Sequence, residues 1–176
     1  MNHFLIQENI LSKIPKIKKL VERSIDEYNR VDLSVKSTRG PDSKQYSIPL
    51  KGENEKLFKI IKKETLKYLK QYNFKPKDIF PVSCWAVFGQ EYGYHKFHKH
   101  NVTEDIATIT YLDVPKDKEK GNFYGIINNE SFEIEPAIGT FIIMPCTVFH
   151  GSFPQGKGPR TTFNLDFRQI YNNDTR

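Results

Sequence analysis

Apolar residues in the N-terminal part of the chain recur at helical spacing. Ile14, Ile17, Val21, Ile25 and Tyr28 follow three- and four-residue steps, which predicts one helix with a single apolar face. Ser12 is suited to cap that helix, and Pro15 is tolerated in its first turn. Residues 31–52 contain TRGPDSKQ and read as a loop, with short strands around Leu33–Val35 and Ser47–Leu50. A second helix is predicted over Glu53–Tyr72, with Leu57, Ile61, Leu66 and Leu69 on its apolar side and lysines on the other. From Asp78 onward the period changes. FPVSCWAVFG, DIATITYLDV, NFYGII, SFEIE, GTFIIMP and RTTFNLDFRQIY are short β-branched or aromatic runs separated by Gly, Pro and Asn. Strands at this spacing predict a sandwich or barrel, one sheet face covered by the two helices. The expectation is a mainly β single domain, 1–176, in which 1–77 form a helical support and 78–170 the β core. There is no internal repeat, and the terminal NNDTR is expected to fray.

Composition fits this picture. The thirteen Phe and nine Tyr suit pleated, half-buried surfaces. No apolar run reaches membrane-spanning length, so no membrane association is expected. The start, MNHFLIQENILSK, has no basic n-region and no small-residue cleavage site, so no signal peptide is expected. Cys84 and Cys146 each sit in an apolar stretch and read as reduced, buried thiols, consistent with a cytoplasmic protein. The net charge of +6 comes mostly from KIPKIKKLVER and EKLFKIIKKETLKYLKQY. Two solvated helix faces account for it; a nucleic-acid partner would suit the charge, but no nucleic-acid-binding motif accompanies it.

Candidate chemistry concentrates in YHKFHKHN, which holds three of the five histidines. If this stretch is extended, His98 and His100 point to the same side. They can share a metal if a third ligand arrives from another strand. His150, after the run GTFIIMPCTVF, is the only other distal histidine; that run reads as a strand carried through a proline. Arg160 follows ten residues later, with Thr162 two positions on and on the same side. Three histidines and an inward arginine in one mouth suit a metal and a carboxylate, because the planar guanidinium pairs bidentately with carboxylate. There is no nucleophile elbow, Walker loop, GxGxxG or zinc-ribbon cysteine pair. Trp85, Phe163 and Phe167 read as core residues.

In this order of motifs the chain resembles the Fe(II)- and 2-oxoglutarate-dependent oxygenases, in particular the prolyl-hydroxylase-like members with a double-stranded β-helix, or jelly-roll, fold. The resemblance covers roughly residues 80–170. It rests on His98-Lys99-His100, Tyr111-Leu112-Asp113, the turn at Gly121, PAIGTFIIMPCTVFHGSFP and Arg160-Thr161-Thr162. The family pattern has a carboxylate where this chain has His100, and the usual iron triad is two histidines and one carboxylate. Either the site holds three histidines, or Glu104 or Asp105 supplies an oxygen while His100 stands behind it. The i, i+2 geometry favours three histidines, because it needs no rearrangement of the loop. His95 is placed beside the ligands or on the substrate side.

The resemblance implies that His98, His100 and His150 hold Fe(II), and that Arg160, Tyr111 and Thr162 meet the far carboxylate of 2-oxoglutarate. With O2, such an enzyme hydroxylates its substrate while 2-oxoglutarate is decarboxylated to succinate. The substrate, a small molecule or a protein side chain, has no code in the loops. The rival reading is a cupin-like three-histidine metalloprotein that does not use 2-oxoglutarate. Arg160 and Thr162 separate the two, since a cupin has no need of them.

Overall fold

The computed structural model describes residues 4–28, 43–100 and 105–170. Among the described residues, ten strands form two antiparallel sheets. β1 (Ile6–Asn9), β2 (Ser43–Ser47), β3 (Asp78–Gly89), β5 (Ile106–Asp113), β8 (Thr140–Pro145) and β10 (Arg160–Ile170) make a six-stranded sheet in the order β1-β8-β5-β10-β3-β2. β4 (His95–His98), β6 (Phe123–Ile127), β7 (Glu130–Ile134) and β9 (Phe149–Ser152) make a four-stranded sheet in the order β4-β9-β6-β7. Two helices, α1 (Ile14–Tyr28) and α2 (Glu55–Gln71), cover the outer face of the larger sheet. This is the jelly roll with two helices that the sequence implied.

Alternation along the strands divides the core in two. Phe141 and Ile143 of β8 join Ile17, Leu57, Ile61 and Leu69 between sheet and helices. Ile142 and Met144 of the same strand face Ile109 and Phe123 between the two sheets. Burial on both faces explains why β8 reads as an unbroken apolar run rather than an alternating one. Polar ties add to the helix docking. Lys18 of α1 reaches Asp113 at 2.7 Å, and Lys62 of α2 reaches Asp78 at 2.8 Å.

Some local expectations need correction. Ser12 does not cap α1. It lies within a 3-10 turn, Leu11–Lys13, and the Asn9 side-chain oxygen accepts the Leu11 N–H at 2.8 Å. The N-terminal part is more than a helical support, since β1 and β2 both extend the larger sheet. The strand expected at Ser47–Leu50 lies earlier, at Ser43–Ser47. GTFIIMPCTVF is not one strand. β8 stops at Pro145, which cannot donate a ladder hydrogen bond, and the chain turns across to β9 in the other sheet. The expectations for Leu33–Val35 and the C-terminal NNDTR fall outside the described residues. Cys84 and Cys146 are buried and form no disulfide, and no described helix is long and apolar enough to cross a membrane.

Phe141 is fully buried, with its ring 6.2 Å from that of Tyr68 on α2. Phe141→Ala should lower unfolding stability by about 3–5 kcal/mol, read from a denaturant midpoint at unchanged slope.

Candidate metal centre

Between the sheets lies a cavity of about 340 Å³. Its walls are built from strands of both sheets. On β10, two-residue alternation aims Arg160, Thr162, Asn164 and Asp166 into the cavity. Thr161, Phe163 and Leu165 take the other side, and Phe163 and Leu165 pack into the helix-side core. On β5, Tyr111 stands directly opposite Thr162. A register shift at this point pairs Thr161 with Asp113. That leaves Leu112 and Asp113 both on the helix side, where Asp113 meets Lys18.

The smaller sheet supplies two of the histidines. His98 of β4 and His150 of β9 are register partners, with ring centroids 4.6 Å apart. His95 pairs with Ser152, so the three-residue step from His95 to His98 spans only two residues of β9. This bulge lets both histidines line the cavity. His100 follows β4, and its backbone N–H donates to the Cys146 carbonyl at 3.0 Å. Its ring lies 5.7 Å from that of His98 and 5.0 Å from that of His150. One ligand atom from each of the three rings lies within 4.8 Å of the others.

The hydrogen bonds set the tautomers. Nδ1–H of His98 donates to the Lys96 carbonyl at 2.7 Å, and Nδ1–H of His150 to the Val148 carbonyl at 2.9 Å. Nδ1–H of His100 donates to Asp166 Oδ2 at 2.8 Å. Carbonyl and carboxylate oxygens act as acceptors here, so each ring carries its proton on Nδ1 and its lone pair on Nε2. Burial holds the His150 imidazole well below its ordinary pKa, with His100 and His98 adding to the effect. Burial lowers that of His98 as well. Both are thereby kept in the neutral form that ligates metals. The donor set fits a divalent first-row metal with positions left open for other ligands.

The opposite end of the cavity is cationic. Arg160 is 4% exposed and makes no ion pair with any described residue. Its Nη1 donates to the carbonyls of Gly121 at 2.9 Å and Phe153 at 3.2 Å, and its Nη2 to that of Gly93 at 3.3 Å. Three bonds from a group with five N–H donors leave two for a ligand. Burial lowers the Arg160 pKa, and the neighbouring Tyr111 opposes that shift. Burial pushes the Tyr111 hydroxyl up to about 12, so it remains a proton donor. Thr162 Oγ1 accepts from Asn164 Nδ2 at 3.1 Å, which leaves its own O–H to donate.

The structure thus brings His98, His100, His150, Arg160, Tyr111 and Thr162 to one cavity, with His95 on its wall. Asp105 is not part of it. Its carboxylate accepts the Gln169 backbone N–H at 2.6 Å, and it belongs to no cluster able to hold a metal. Glu104 lies outside the described residues. Trp85, expected in the core, is half-buried on the cavity wall with its ring 5.3 Å from that of His100. Asp166 and Asn164 escaped the sequence reading. Their signal was the alternation begun by Arg160 and Thr162, continued two steps along the same strand.

No family model matches the sequence, and no curated protein matches it. Solved structures do match. A prolyl-4-hydroxylase from Pseudomonas putida aligns with TM-score 0.69 at 15% identity, covering 94% of this chain and 92% of that one. The viral collagen prolyl hydroxylase of Paramecium Bursaria Chlorella virus-1, in its 2-oxoglutarate complex, aligns with TM-score 0.69 at 14% identity, covering 95% and 96%. A 2OG-Fe(II) oxygenase family oxidoreductase from Burkholderia pseudomallei gives TM-score 0.71 at 12% identity over 97% and 87%. The chain therefore has the double-stranded β-helix fold of the 2-oxoglutarate- and Fe(II)-dependent oxygenases.

Proposed function

We propose that this protein is an Fe(II)- and 2-oxoglutarate-dependent dioxygenase that hydroxylates a small molecule or a protein side chain. The observation that carries this reading is Arg160. A buried guanidinium with no carboxylate partner among the described residues is costly to maintain. It shares one cavity with three histidines, one ligand atom of each lying within 4.8 Å of the others. A ligand with a carboxylate at one end and a chelating group at the other answers both features, and 2-oxoglutarate is such a molecule. A cupin-like metal site leaves the buried arginine unexplained.

In this reading His98, His100 and His150 hold the iron. With 2-oxoglutarate and O2 the iron supplies the oxidising chemistry, which yields succinate, CO2 and a hydroxylated product. The chain's own residues bind and orient. Arg160 forms the bidentate pair with the distal carboxylate, and the Tyr111 and Thr162 hydroxyls donate to it. The carbonyls of Gly121, Phe153 and Gly93 fix the guanidinium plane in advance. The neighbouring apolar core contains Ile109, Phe123 and Ile142 and limits the entry of water.

The wild type should bind one Fe(II) per chain, and His150→Ala should lose it, as read by metal analysis after anaerobic loading. Adding 2-oxoglutarate to the iron-loaded protein should produce a visible metal-to-ligand charge-transfer band. Arg160→Ala should keep its iron and lose 2-oxoglutarate affinity. Removing one partner of a buried charge pair costs about 2–5 kcal/mol, or roughly thirty-fold to several thousand-fold in affinity. Arg160→Lys should recover only part of the loss. Unchanged affinity in Arg160→Ala, or a wild type that never binds 2-oxoglutarate, would transfer the case to the cupin-like reading.

A finer test is Gly121. Its φ of +69° lies in the left-handed region, and a Cβ there would collide with the Arg160 guanidinium and come within 2.9 Å of the Phe153 carbonyl. Gly121→Ala should lower stability by about 1–2 kcal/mol through the backbone. It should also weaken 2-oxoglutarate binding, measured by calorimetry, while iron content stays at the wild-type level.

A further inference from the structure

We infer that Asp166 gives the three-histidine centre the carboxylate charge that its ligands lack, acting through His100 as a positioning residue. The inference rests on the proposed iron site and goes beyond it.

Asp166 is 1% exposed on β10, directly opposite Ser83 of β3 and Ala107 of β5. Its Oδ2 accepts from His100 Nδ1 at 2.8 Å and from Ser83 Oγ at 3.3 Å. Its Oδ1 is buried and has no hydrogen-bond partner among the described residues. Among the described residues no lysine or arginine pairs with it; its ion-pair partner is His100, and the Cys146 thiol lies within 4.8 Å. A buried carboxylate in this setting needs a positive charge nearby. A metal on Nε2 of His100 would supply that charge through the ring.

The three histidines are not equivalent. His98 and His150 donate Nδ1–H to neutral carbonyls, whereas His100 donates to a carboxylate. A ring hydrogen-bonded to a carboxylate is the stronger electron donor to a metal at its other nitrogen. His100 also stands at the sequence position where the usual iron triad carries its carboxylate. The charge missing from that position is regained one residue farther out. The backbone is irregular at the same point: Asp166 pairs with Ser83 and Phe167 with Pro81, so β3 carries an extra residue, Val82, beside this carboxylate.

Swapping the charge between the two positions tests the inference. Fe(II) affinity is measured anaerobically by competition with a chromogenic chelator, and the Fe(III)/Fe(II) potential by mediated titration. Asp166→Asn keeps the shape and removes the charge. It should weaken Fe(II) binding about 10- to 100-fold and raise the potential, because the ferric state loses its anionic support. The same substitution made on a His100→Asp background should cause no loss or a gain, since the ligand set then carries its own carboxylate and a second one behind it repels. Near-UV circular dichroism of each apoprotein confirms the fold. Equal losses on both backgrounds would mark Asp166 as a packing residue and overturn the inference. So would a folded Asp166→Asn that binds iron like the wild type, and that result would leave the oxygenase reading intact. A wild type that holds no Fe(II) would overturn both.

Discussion

The register of β10 is the constraint on which the site depends. This strand is central in the larger sheet, paired with β3 on one side and β5 on the other. Its side-chain period of two sends Arg160, Thr162, Asn164 and Asp166 into the cavity while Phe163 and Leu165 enter the helix-side core. A slip of one residue would exchange the two sets. It would put four polar side chains under the helices and two large apolar ones into the cavity. The apolar set therefore enforces the position of the polar set, and helix packing on the far face fixes the chemistry on the near one.

That arrangement separates two buried charges that could otherwise have neutralised each other. Arg160 and Asp166 are six residues apart on one extended strand, about 20 Å. Neither reaches the other. The cation rests on three carbonyls, and the anion on one imidazole and one hydroxyl. The cavity is thus polarised along its length, with its anionic end behind the histidines and its cationic end beside Tyr111. A metal ion at the first end and a carboxylate at the second would complete the balance, and one chelating molecule can span the space between them.

Much of this was legible in the sequence, for definite reasons. The strands from Asp78 onward announced themselves as short β-branched or aromatic runs between Gly, Pro and Asn, and the helices because Ile, Val and Leu recurred every three or four residues. His98, His100, His150 and Arg160 stood out because those residue types are few and their order is specific. Other features were hidden because they arise from pairing. Nothing local in SKQYS marks β2 as a strand; its place comes from the neighbouring β3. The bulge that turns His95 inward appears only against β9. Trp85 looked like core because large aromatics usually are, but its strand alternation faces the cavity. Asp166 went unread because its parity with Arg160 gains meaning only when His100 arrives beside it from another part of the chain.

The joining of the two sheets is itself held at one residue. The chain crosses from β8 to β9 just after Pro145, and Cys146 is the first residue of the crossing. Its carbonyl accepts from the His100 N–H at 3.0 Å, and its own N–H donates to the Asp105 carbonyl at 3.2 Å. His100 and Asp105 are thereby both fastened to the main chain of one residue. The same crossing carries Val148, whose carbonyl fixes the His150 tautomer. Two histidines that lie fifty positions apart in sequence are held at 5.0 Å by a backbone path of five residues, Cys146 to His150. Main-chain hydrogen bonds hold the backbone beneath both rings, and the Asp166 carboxylate orients the His100 ring upon it.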